Sequence, residues 1–183
     1  MKRCWFLTWT TYGTWLPGDR RGHVSKTRNA AGDPLYFNQP QTPAAPASVE
    51  LEEYAKKHLR GSIVKLTGQH AKPLFEQFSE TCGHRGWKLL GVAIMANHVH
   101  VLIVVDGDPD PEDILRDLKS YGSRALNRSF GRPSSGTWWT RSGSRRRIKA
   151  EENLLAARKY ILDQEQPLLV WVADDLDVEF LKA

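Results

Sequence analysis

Two apolar runs separated by only two residues constrain the fold of this chain more than any other feature. The first run covers residues 87–95 (WKLLGVAIM) and the second covers His98–Asp106 (HVHVLIVVD), with Ala96-Asn97 between them. Strands joined by so short a connection pair antiparallel, and nearly continuous apolar sequence is typical of strands covered on both faces. The two runs therefore predict a hairpin at the centre of a sheet.

Helices and further strands surround this hairpin in the sequence. The predicted elements are a strand at 4–12, a helix that begins at Ser48, helices at 71–83, 109–130 and 151–164, and a short basic strand at 144–149. The strand at 4–12 (CWFLTWTTY) is rich in aromatic and β-branched residues, and the helix at 109–130 has apolar residues at helical spacing. This order predicts an α+β fold: one domain with a mainly antiparallel sheet and helices packed on it.

Two segments lack such periodicity. Residues 13–48 are rich in Gly, Pro, Asn and Ala, which predicts a long loop or insertion whose part 39–48 (QPQTPAAPAS) is extended or mobile. Residues 167–183 carry Asp and Glu near their end and predict an acidic C-terminal tail. The expected organisation is therefore a domain at 1–166 followed by a tail at 167–183.

Composition excludes several classes of protein. The 183 residues suit one domain, and no apolar run approaches the roughly 20 residues that a membrane helix needs. Two cysteines, Cys4 and Cys82, are too few for a disulfide framework, so we expect a cytoplasmic protein. The net charge of +5 is compatible with an acidic partner, and seven tryptophans beside cationic residues suit unpaired bases.

The second apolar run begins with two histidines that can share a ligand. In a strand, residues two apart point to the same face, so His98 and His100 project together while Val99 and Val101 face the opposite way. Two imidazoles on one face are half of a metal site. The pattern alone does not distinguish a metal site from two buried or exposed histidines.

The last predicted helix offers a third ligand and a reactive group. Tyr160 and Gln164 are four residues apart and hence on one helical face. The carbonyl oxygen of Gln164 is a suitable ligand for Mg²⁺ or Mn²⁺, which favour oxygen. Tyr160 supplies a phenolic oxygen that becomes a nucleophile when a nearby cation or base helps to remove its proton. The alternative for Tyr160 is a tyrosine that packs on the sheet.

The order of these motifs resembles a known family. IMANHVHVLIVV comes first, followed by a basic helix (LKSYGSRALN), a Trp-Thr segment before a short strand (WWTRSGSRRRI) and finally YILDQ. This order is similar to that of the single-tyrosine HUH transposases, including the REP-associated tyrosine transposases. The opening FLTWTTYGTWLPGD also resembles one branch of that family. The resemblance covers roughly residues 4–15 and 87–166.

The resemblance implies a ferredoxin-like sheet, an obligate homodimer and single-stranded DNA as partner, often with an imperfect hairpin. In this family the tyrosine attacks a backbone phosphate to give a 5′-phosphotyrosyl link and a free 3′-hydroxyl, and a second strand end then attacks that link. By resemblance, His98 and His100 match the HUH histidines, Tyr160 the nucleophile and Gln164 the metal-binding glutamine. In several members the tyrosine helix of one subunit completes the site of the other, and we expect the same here.

Departures from the family pattern affect the DNA target more than the chemistry. The chain has Ser142-Gly143-Ser144 where the family often has an aromatic or hydrophobic pair, and the loop at 13–48 is longer than a minimal member needs. Tyr121 is a rival nucleophile, since it is nearer to the histidines in sequence. No Gln follows it at the same helical spacing, which favours Tyr160.

A basic region predicts the DNA-binding surface. Residues 132–149 contain six cations and no acid, next to two tryptophans, a combination that suits phosphates and bases. Three further cations on the helix at 109–130 recur at spacings that can share one helical face. The predicted DNA-binding residues are Lys119, Arg124, Arg128, Trp138, Trp139, Arg141, Arg145, Arg146 and Arg147. A solvated face that keeps the protein soluble is the alternative for each charge run.

Three other functions are compatible with parts of this pattern. A non-catalytic single-stranded DNA-binding protein would keep the basic region, and an HUH replication or mobilisation initiator would share the chemistry but usually has further domains. A structural zinc site built from Cys82, His84, His98 and His100 would leave Tyr160 and Gln164 unexplained. A two-histidine phosphoesterase would need two His-x-Ser/Thr motifs, and the chain has a single one, His23-Val24-Ser25.

Overall fold

The computed structural model describes residues 1–19, 26–28, 34–36 and 47–174. In chain order the elements are β1 (Lys2–Thr10), β2 (Lys26–Arg28), β3 (Pro34–Tyr36), α1 (Val49–Lys57), α2 (Gly68–Arg85), β4 (Lys88–Ile94), β5 (His98–Asp106), α3 (Pro111–Phe130), β6 (Ser144–Ile148), α4 (Glu151–Leu162) and β7 (Leu169–Val172). Among the described helices, none is long and apolar enough to cross a membrane.

Five strands form one sheet in the order β6-β1-β5-β4-β7, and every neighbouring pair is antiparallel. The succession β1-α2-β4-β5-α3-β6 with the strand order β6-β1-β5-β4 is the ferredoxin-like arrangement. The predicted α+β class, with an antiparallel sheet and helices packed on it, is therefore confirmed.

The predicted hairpin lies where the sequence places it. Ile94 pairs with Val99, and the backbone N–H of Met95 donates to the carbonyl of His98 at 2.9 Å, which closes the turn around Ala96-Asn97. β5 has strand neighbours on both sides, with β1 on one and β4 on the other. Its complete burial from Val99 to Val105 follows from this central position.

Helices α2 and α3 cover one face of the sheet. Alternate residues of β1 and β5, such as Leu7 and Val101, point into this layer and are fully buried. Phe78 of α2 packs edge-on against Trp9 of β1, with 5.7 Å between ring centroids. Gly122 of α3 lets the two helices approach, because a Cβ there would lie 2.8 Å from Leu74 Cδ1.

Helix α4 covers part of the opposite face. Its buried residues Leu154, Ala157 and Ile161 belong to a second apolar cluster together with Cys4 and Leu102 of the sheet. Gly91 of β4 lies under the helix, where a Cβ would lie 2.9 Å from Ile161 Cδ1. The absence of a side chain at Gly91 lets α4 rest close to the sheet.

Two of the differences from the predicted segment boundaries change the sheet or the candidate site. The residues assigned to an acidic tail at 167–183 begin with β7, which pairs with β4 and extends the sheet; residues 175–183 lie outside the described residues. The last helix ends at Leu162 rather than 164, so Gln164 follows it. Residues 169–172 form β7 because they lie next to the open edge of β4. This proximity is not encoded in the local sequence.

The long segment at 13–48 is described only in part. It contains the short strands β2 and β3, which pair with each other, and its end forms the predicted helix start: the Ser48 hydroxyl accepts a hydrogen bond from the Leu51 N–H at 3.2 Å. Most of the stretch 39–48 that was expected to be extended or mobile lies outside the described residues.

Candidate metal and nucleophile site

His98 and His100 lie side by side on the α4 face of β5. Their ring centroids are 4.7 Å apart and their planes are inclined at 77°. His100 is only 4% exposed and His98 is half-buried. Val99 and Val101, which alternate with them, are fully buried against α2 and α3 on the other face. Strand geometry thus places both imidazoles together, as the spacing predicts.

Hydrogen bonds to the Nδ1 atoms orient both rings. His98 Nδ1 lies 2.7 Å from the Asn97 side-chain oxygen, and His100 Nδ1 lies 2.7 Å from the Thr8 hydroxyl oxygen. An amide oxygen only accepts, so His98 carries its proton on Nδ1 and keeps the lone pair on Nε2. Partners of this kind fix the tautomer and orientation of histidines that bind metals through the other nitrogen.

The Nε2 atom of His100 fits the role of a metal ligand. It is buried and has no hydrogen-bond partner, which is a costly state for a polar atom unless something else occupies its lone pair. Burial, reinforced by the nearby His98, lowers the pKa of His100 to about 3, so the ring is neutral and can donate an electron pair. The described residues hold no cluster of three His, Cys, Asp or Glu side chains, so a third protein ligand here must be of another type.

Tyr160 of α4 lies next to these rings in the same chain. Its ring centroid is 5.2 Å from that of His100, with the planes at 80°, and 6.0 Å from that of Phe6, at 87°. Half of the residue is exposed (51%). The single chain brings Tyr160 to its own His100. Completion of the site by the tyrosine helix of a partner subunit stays a prediction.

Gln164 lies one turn beyond Tyr160 and caps the end of α4. Its Nε2 donates a hydrogen bond to the Tyr160 carbonyl oxygen at 2.9 Å. The amide therefore has its nitrogen committed to the helix, and Oε1 is the atom that it can offer to a cation. The sequence predicts both residues on one face of the helix. In the structure Gln164 lies just after the helix and is hydrogen-bonded to its last turn.

Phe6 of β1 is the residue on which several site groups converge. Its ring stacks on His100 with 5.4 Å between centroids and 13° between planes, and Tyr160 meets it edge-on. The guanidinium carbon of Arg146 lies 5.4 Å from the centre of the same ring. One aromatic ring thus holds an imidazole, the candidate nucleophile and a cation in one neighbourhood.

The three consecutive arginines of β6 separate by strand alternation. Arg146 pairs with Phe6 and shares the face of the imidazoles. Arg145 pairs with Leu7 on the other face, where it forms an ion pair with Glu112 of α3. Arg147, the partner of Trp5, also points away from the imidazoles. Of the three arginines of β6, Arg146 alone therefore lies at the site.

Trp138 and Trp139 are core residues, which corrects their predicted role as a base-stacking surface. Their exposed fractions are 6% and 4%. The indole N–H of Trp138 donates to the Asn127 side-chain oxygen at 2.8 Å, and that of Trp139 donates to the Lys119 carbonyl at 3.0 Å. With both rings buried and both donors used inside the protein, neither offers a face to a base.

The predicted cations outside β6 have different surroundings. Lys119 directs its ammonium inward to the carbonyl oxygens of Thr140, Arg141 and Ser142 at 2.6, 3.0 and 3.3 Å, and burial lowers its pKa to about 8. Lys119 therefore holds the segment before β6 in place through these hydrogen bonds and is not a surface cation. Arg124 lies over the Tyr121 ring at 4.9 Å, and Arg128 donates to the Gln77 side chain at 3.0 Å.

The rival constellations are separated in space. Tyr121 lines a cavity between α2 and α3, on the face of the sheet opposite the imidazoles. Cys82 is buried in the layer of α2 and α3, while His100 contacts Phe6 and Tyr160 on the other face. The fold therefore does not bring Cys82 and His100 together, and the zinc-site hypothesis is wrong.

Three residues that orient the site were not singled out from the sequence. Thr8 and Phe6 alternate with apolar residues in β1, so the pattern does signal a face that differs from that of Leu7 and Trp9. Asn97 occupies the hairpin turn, where its polar side chain is expected for turn reasons alone. Their role in orienting the site is visible only from their contacts: Thr8 and Phe6 with His100, and Asn97 with His98.

The chain is similar to solved structures and to one family of proteins. No curated protein matches the chain. Among solved structures, it is similar to a Deinococcus radiodurans R1 protein described as a candidate transposase, with 16% identity, a TM-score of 0.47 and coverage of 90% of this chain and 92% of the other. It is also similar to a REP-associated tyrosine transposase bound to a REP hairpin, with 12% identity, a TM-score of 0.46 and coverage of 84% of this chain and 61% of that one.

The family model for IS200-like transposases matches residues 59–164. This region is more than half of the 183 residues and contains both imidazoles, the tyrosine and the glutamine of the site. The chain therefore belongs to the family of IS200-like transposases.

Proposed function

We propose that this chain is a metal-dependent transposase that cleaves and rejoins single-stranded DNA through Tyr160. The observation that carries the proposal is the contact of Tyr160 with His100, whose rings are 5.2 Å apart in one chain. A half-exposed tyrosine beside a neutral imidazole with an unused buried nitrogen supplies a nucleophile and a ligand in one place.

His98, His100 and Gln164 are the residues that would hold Mg²⁺ or Mn²⁺. Two imidazole nitrogens and an amide oxygen suit such an ion and leave coordination positions for phosphate oxygens. The bound ion would supply Lewis-acid polarisation of the scissile phosphate. Thr8 and Asn97 keep the two rings in place through their Nδ1 atoms.

The bond changes in the proposed reaction balance without an external energy source. The phenolic oxygen of Tyr160 gives up its proton and attacks phosphorus, the new Tyr160–phosphate bond forms, and the 3′-oxygen leaves with its electron pair and takes a proton. A 3′-hydroxyl of a second strand end then attacks the same phosphorus and releases the tyrosine. Arg146, on the same aromatic ring as Tyr160, is placed to neutralise charge on the phosphate.

The test is covalent trapping of the intermediate. Single-stranded oligonucleotides from the flanks of the gene, labelled at the 5′ or the 3′ end, are incubated with the protein and Mg²⁺ or Mn²⁺. A denaturant-resistant adduct with the 3′ label is expected in the wild type, absent in Tyr160→Phe and after chelation of the metal. Tyr121→Phe is the matched control and keeps the adduct, because Tyr121 lies on the opposite layer.

Two results would overturn the proposal. An adduct that persists in Tyr160→Phe assigns the chemistry to another residue. Tight binding without an adduct, with either metal and with every flanking oligonucleotide, favours a non-catalytic single-stranded DNA-binding protein. The homodimer and a hairpin in the DNA stay predictions, which size measurements and hairpin-disrupting oligonucleotides check.

A further inference from the structure

Alternate residues of β6 lie on the sheet face that carries the imidazoles. The guanidinium of Arg146 lies over the Phe6 ring, and Ile148 belongs to the apolar cluster under α4. Ser144 is two residues before Arg146 in the same strand, so its side chain shares their face. Ser144 is not among the predicted DNA-binding residues and lies in the segment 142–144, where the chain departs from the family pattern.

The strand register connects Ser144 to the candidate site. Ser144 pairs with Thr8 of β1, and Thr8 pairs on its other side with His100 of β5. Residues directly opposite each other on antiparallel strands point to the same face, as the 2.7 Å contact between the Thr8 hydroxyl and His100 Nδ1 shows for the second pair. The three residues therefore form one row across the sheet, with roughly 10 Å between the backbones of its two ends.

A glycine before Ser144 lets the start of β6 approach β1. A Cβ at Gly143 would lie 2.7 Å from the Thr8 carbonyl oxygen and 3.1 Å from Trp9 Cβ, which is too close for any other residue without a backbone shift. The carbonyl oxygen of Gly143 also accepts a hydrogen bond from Arg145 Nη1 at 3.1 Å. The backbone of this segment thus fixes Ser144 next to Thr8.

The polar groups of Ser144 and Arg146 are available to a phosphate. Both residues are exposed, and neither makes a hydrogen bond or an ion pair with another of the described residues, whereas the neighbouring Arg145 makes both. β1 and β6 contain no Asp or Glu that would repel an anion. Guanidinium and hydroxyl groups are common phosphate ligands, and hydrogen bonds to ionised oxygens are among the strong ones.

The spacing along β6 suits a strand of DNA rather than a single anion. The Cα atoms of residues two apart in a strand are about 6.5 Å from each other, which is close to one nucleotide step of an extended single strand. Arg146 shares the Phe6 ring with Tyr160, and Ser144 lies in the row of His100. Two successive phosphates can therefore lie along β6, beside the candidate nucleophile and the imidazoles.

We propose that the substrate strand runs along β6 on the imidazole face, with the scissile phosphate next to Arg146 and a flanking phosphate bound by the Ser144 hydroxyl. The inference rests on the proposed function, because it takes the substrate to be single-stranded DNA. It adds Ser144 as a substrate-binding residue, and it places the path of the strand along this edge of the sheet.

The experiment is a methylphosphonate scan of the flanking oligonucleotide that the protein binds most tightly. Each probe has one phosphate made neutral, all proteins carry Tyr160→Phe so that the strand stays intact, and dissociation constants are measured by fluorescence anisotropy. A neutral linkage at one position should weaken binding about ten-fold. With Ser144→Ala added, the unmodified strand should bind about ten-fold more weakly, and the neutral linkage at that position should have no further effect.

Three further variants locate the effect. Arg146→Gln should show the same loss of sensitivity at the adjacent linkage, which in the wild type is the one that is cleaved. Ser144→Thr keeps a hydroxyl in a strand position and should keep the wild-type profile, which separates a lost hydrogen bond from a folding defect. Ser129→Ala is the matched control, since Ser129 is exposed near the end of α3 in the opposite layer, and it should change nothing.

The outcomes separate this inference from the proposed function. Penalties that are unchanged in Ser144→Ala, or a linkage for Ser144 that is not adjacent to that of Arg146, overturn the path along β6. If the wild type forms the Tyr160 adduct and Ser144 is coupled to no linkage, the path alone is wrong. If the coupling is present and the wild type forms no adduct, the path is supported and the catalytic proposal fails. If the protein binds none of the single strands, both fail.

Discussion

The two faces of the central sheet are built from the same strands and have opposite characters. On the side of α2 and α3, residues such as Leu7, Val99 and Val101 are fully buried among aliphatic and aromatic neighbours. On the side of α4, the same strands present Thr8, His98 and His100 at one end of the layer. One face stabilises the fold, and the other carries the candidate site.

Helix length explains the difference. α2 and α3 have 18 and 20 residues and together cover one face, whereas α4 has 12 residues and packs on only part of the other. Under α4 the sheet is apolar, with Cys4, Leu102 and Ile148. Where α4 ends, Tyr160 is half-exposed and His98 is half-buried, next to the buried ring of His100. A short covering helix thus leaves room for a site without weakening the opposite layer.

The largest expected effects come from one substitution on each face of the sheet. The first should lower stability and the second should abolish activity. Phe78→Ala removes a fully buried ring from the α2 and α3 layer and should lower the free energy of unfolding by about 3–5 kcal/mol. His100→Gln, on the α4 face, should cost far less stability but abolish metal-dependent adduct formation. Chemical denaturation and the adduct assay, performed on both variants, measure the two effects.

A large loss of stability in His100→Gln, or unchanged adduct formation in that variant, would contradict the separation of roles. The adduct yield of Phe78→Ala is compared at a temperature where the variant is still folded. Under that condition it should approach the yield of the wild type.

Neighbouring arginines on β6 test the comparison within one strand. Arg146→Ala removes a cation from the imidazole face and should slow adduct formation on the order of 10²-fold, because the lost charge would face the reacting phosphate. It should also reduce the salt slope for single-stranded DNA by about 0.7. Arg147→Ala, one residue along on the other face, is the control and should change neither.

Equal effects of the two substitutions would mean that DNA contacts both faces of β6. Arg145→Ala is less informative, since it also breaks the ion pair with Glu112 of α3.

The smallest expected effect concerns how easily each layer opens. Cys4 lies in the α4 layer and Cys82 in the α2 and α3 layer, and burial raises the pKa of both thiols to about 12. Neither is ionised at pH 8, so labelling requires local opening. Because α4 is the shorter cover, Cys4 should react roughly ten-fold faster than Cys82, as single-cysteine variants with a thiol reagent would show.

Identical labelling rates would indicate that both layers open only in global unfolding. The same thiols determine how the free energy of unfolding changes at alkaline pH. Since they ionise at lower pH in the unfolded chain, their contribution to stability is lost as the pH rises from about 9 towards 12.

The sequence predicted the features that depend on local periodicity. The hairpin, the strand placement of His98 and His100 and the helical spacing of Tyr160 and Gln164 follow from side-chain direction in strands and helices, which is a local property. The family resemblance supplied the ferredoxin-like sheet. Strand alternation also separates Arg146 from Arg145 and Arg147, although the charge run suggests one surface.

The rest depends on tertiary packing, which local patterns do not encode. Trp138 and Trp139 are followed by cations and resemble a surface, yet the layer of α2 and α3 buries them. Lys119 resembles a DNA-binding cation until the carbonyls of 140–142 are seen to converge on its ammonium. The strand β7 is outside the family match and forms because β4 offers it an open edge.

The position of β6 has a consequence for self-association. β6 is at one edge of the five-stranded sheet, where a free row of backbone groups invites another chain to add a strand. An added strand would have to desolvate three adjacent guanidinium groups, and two copies of this edge would bring like charges together. We therefore expect the arginines of β6 to oppose the addition of another strand at this edge, including during folding.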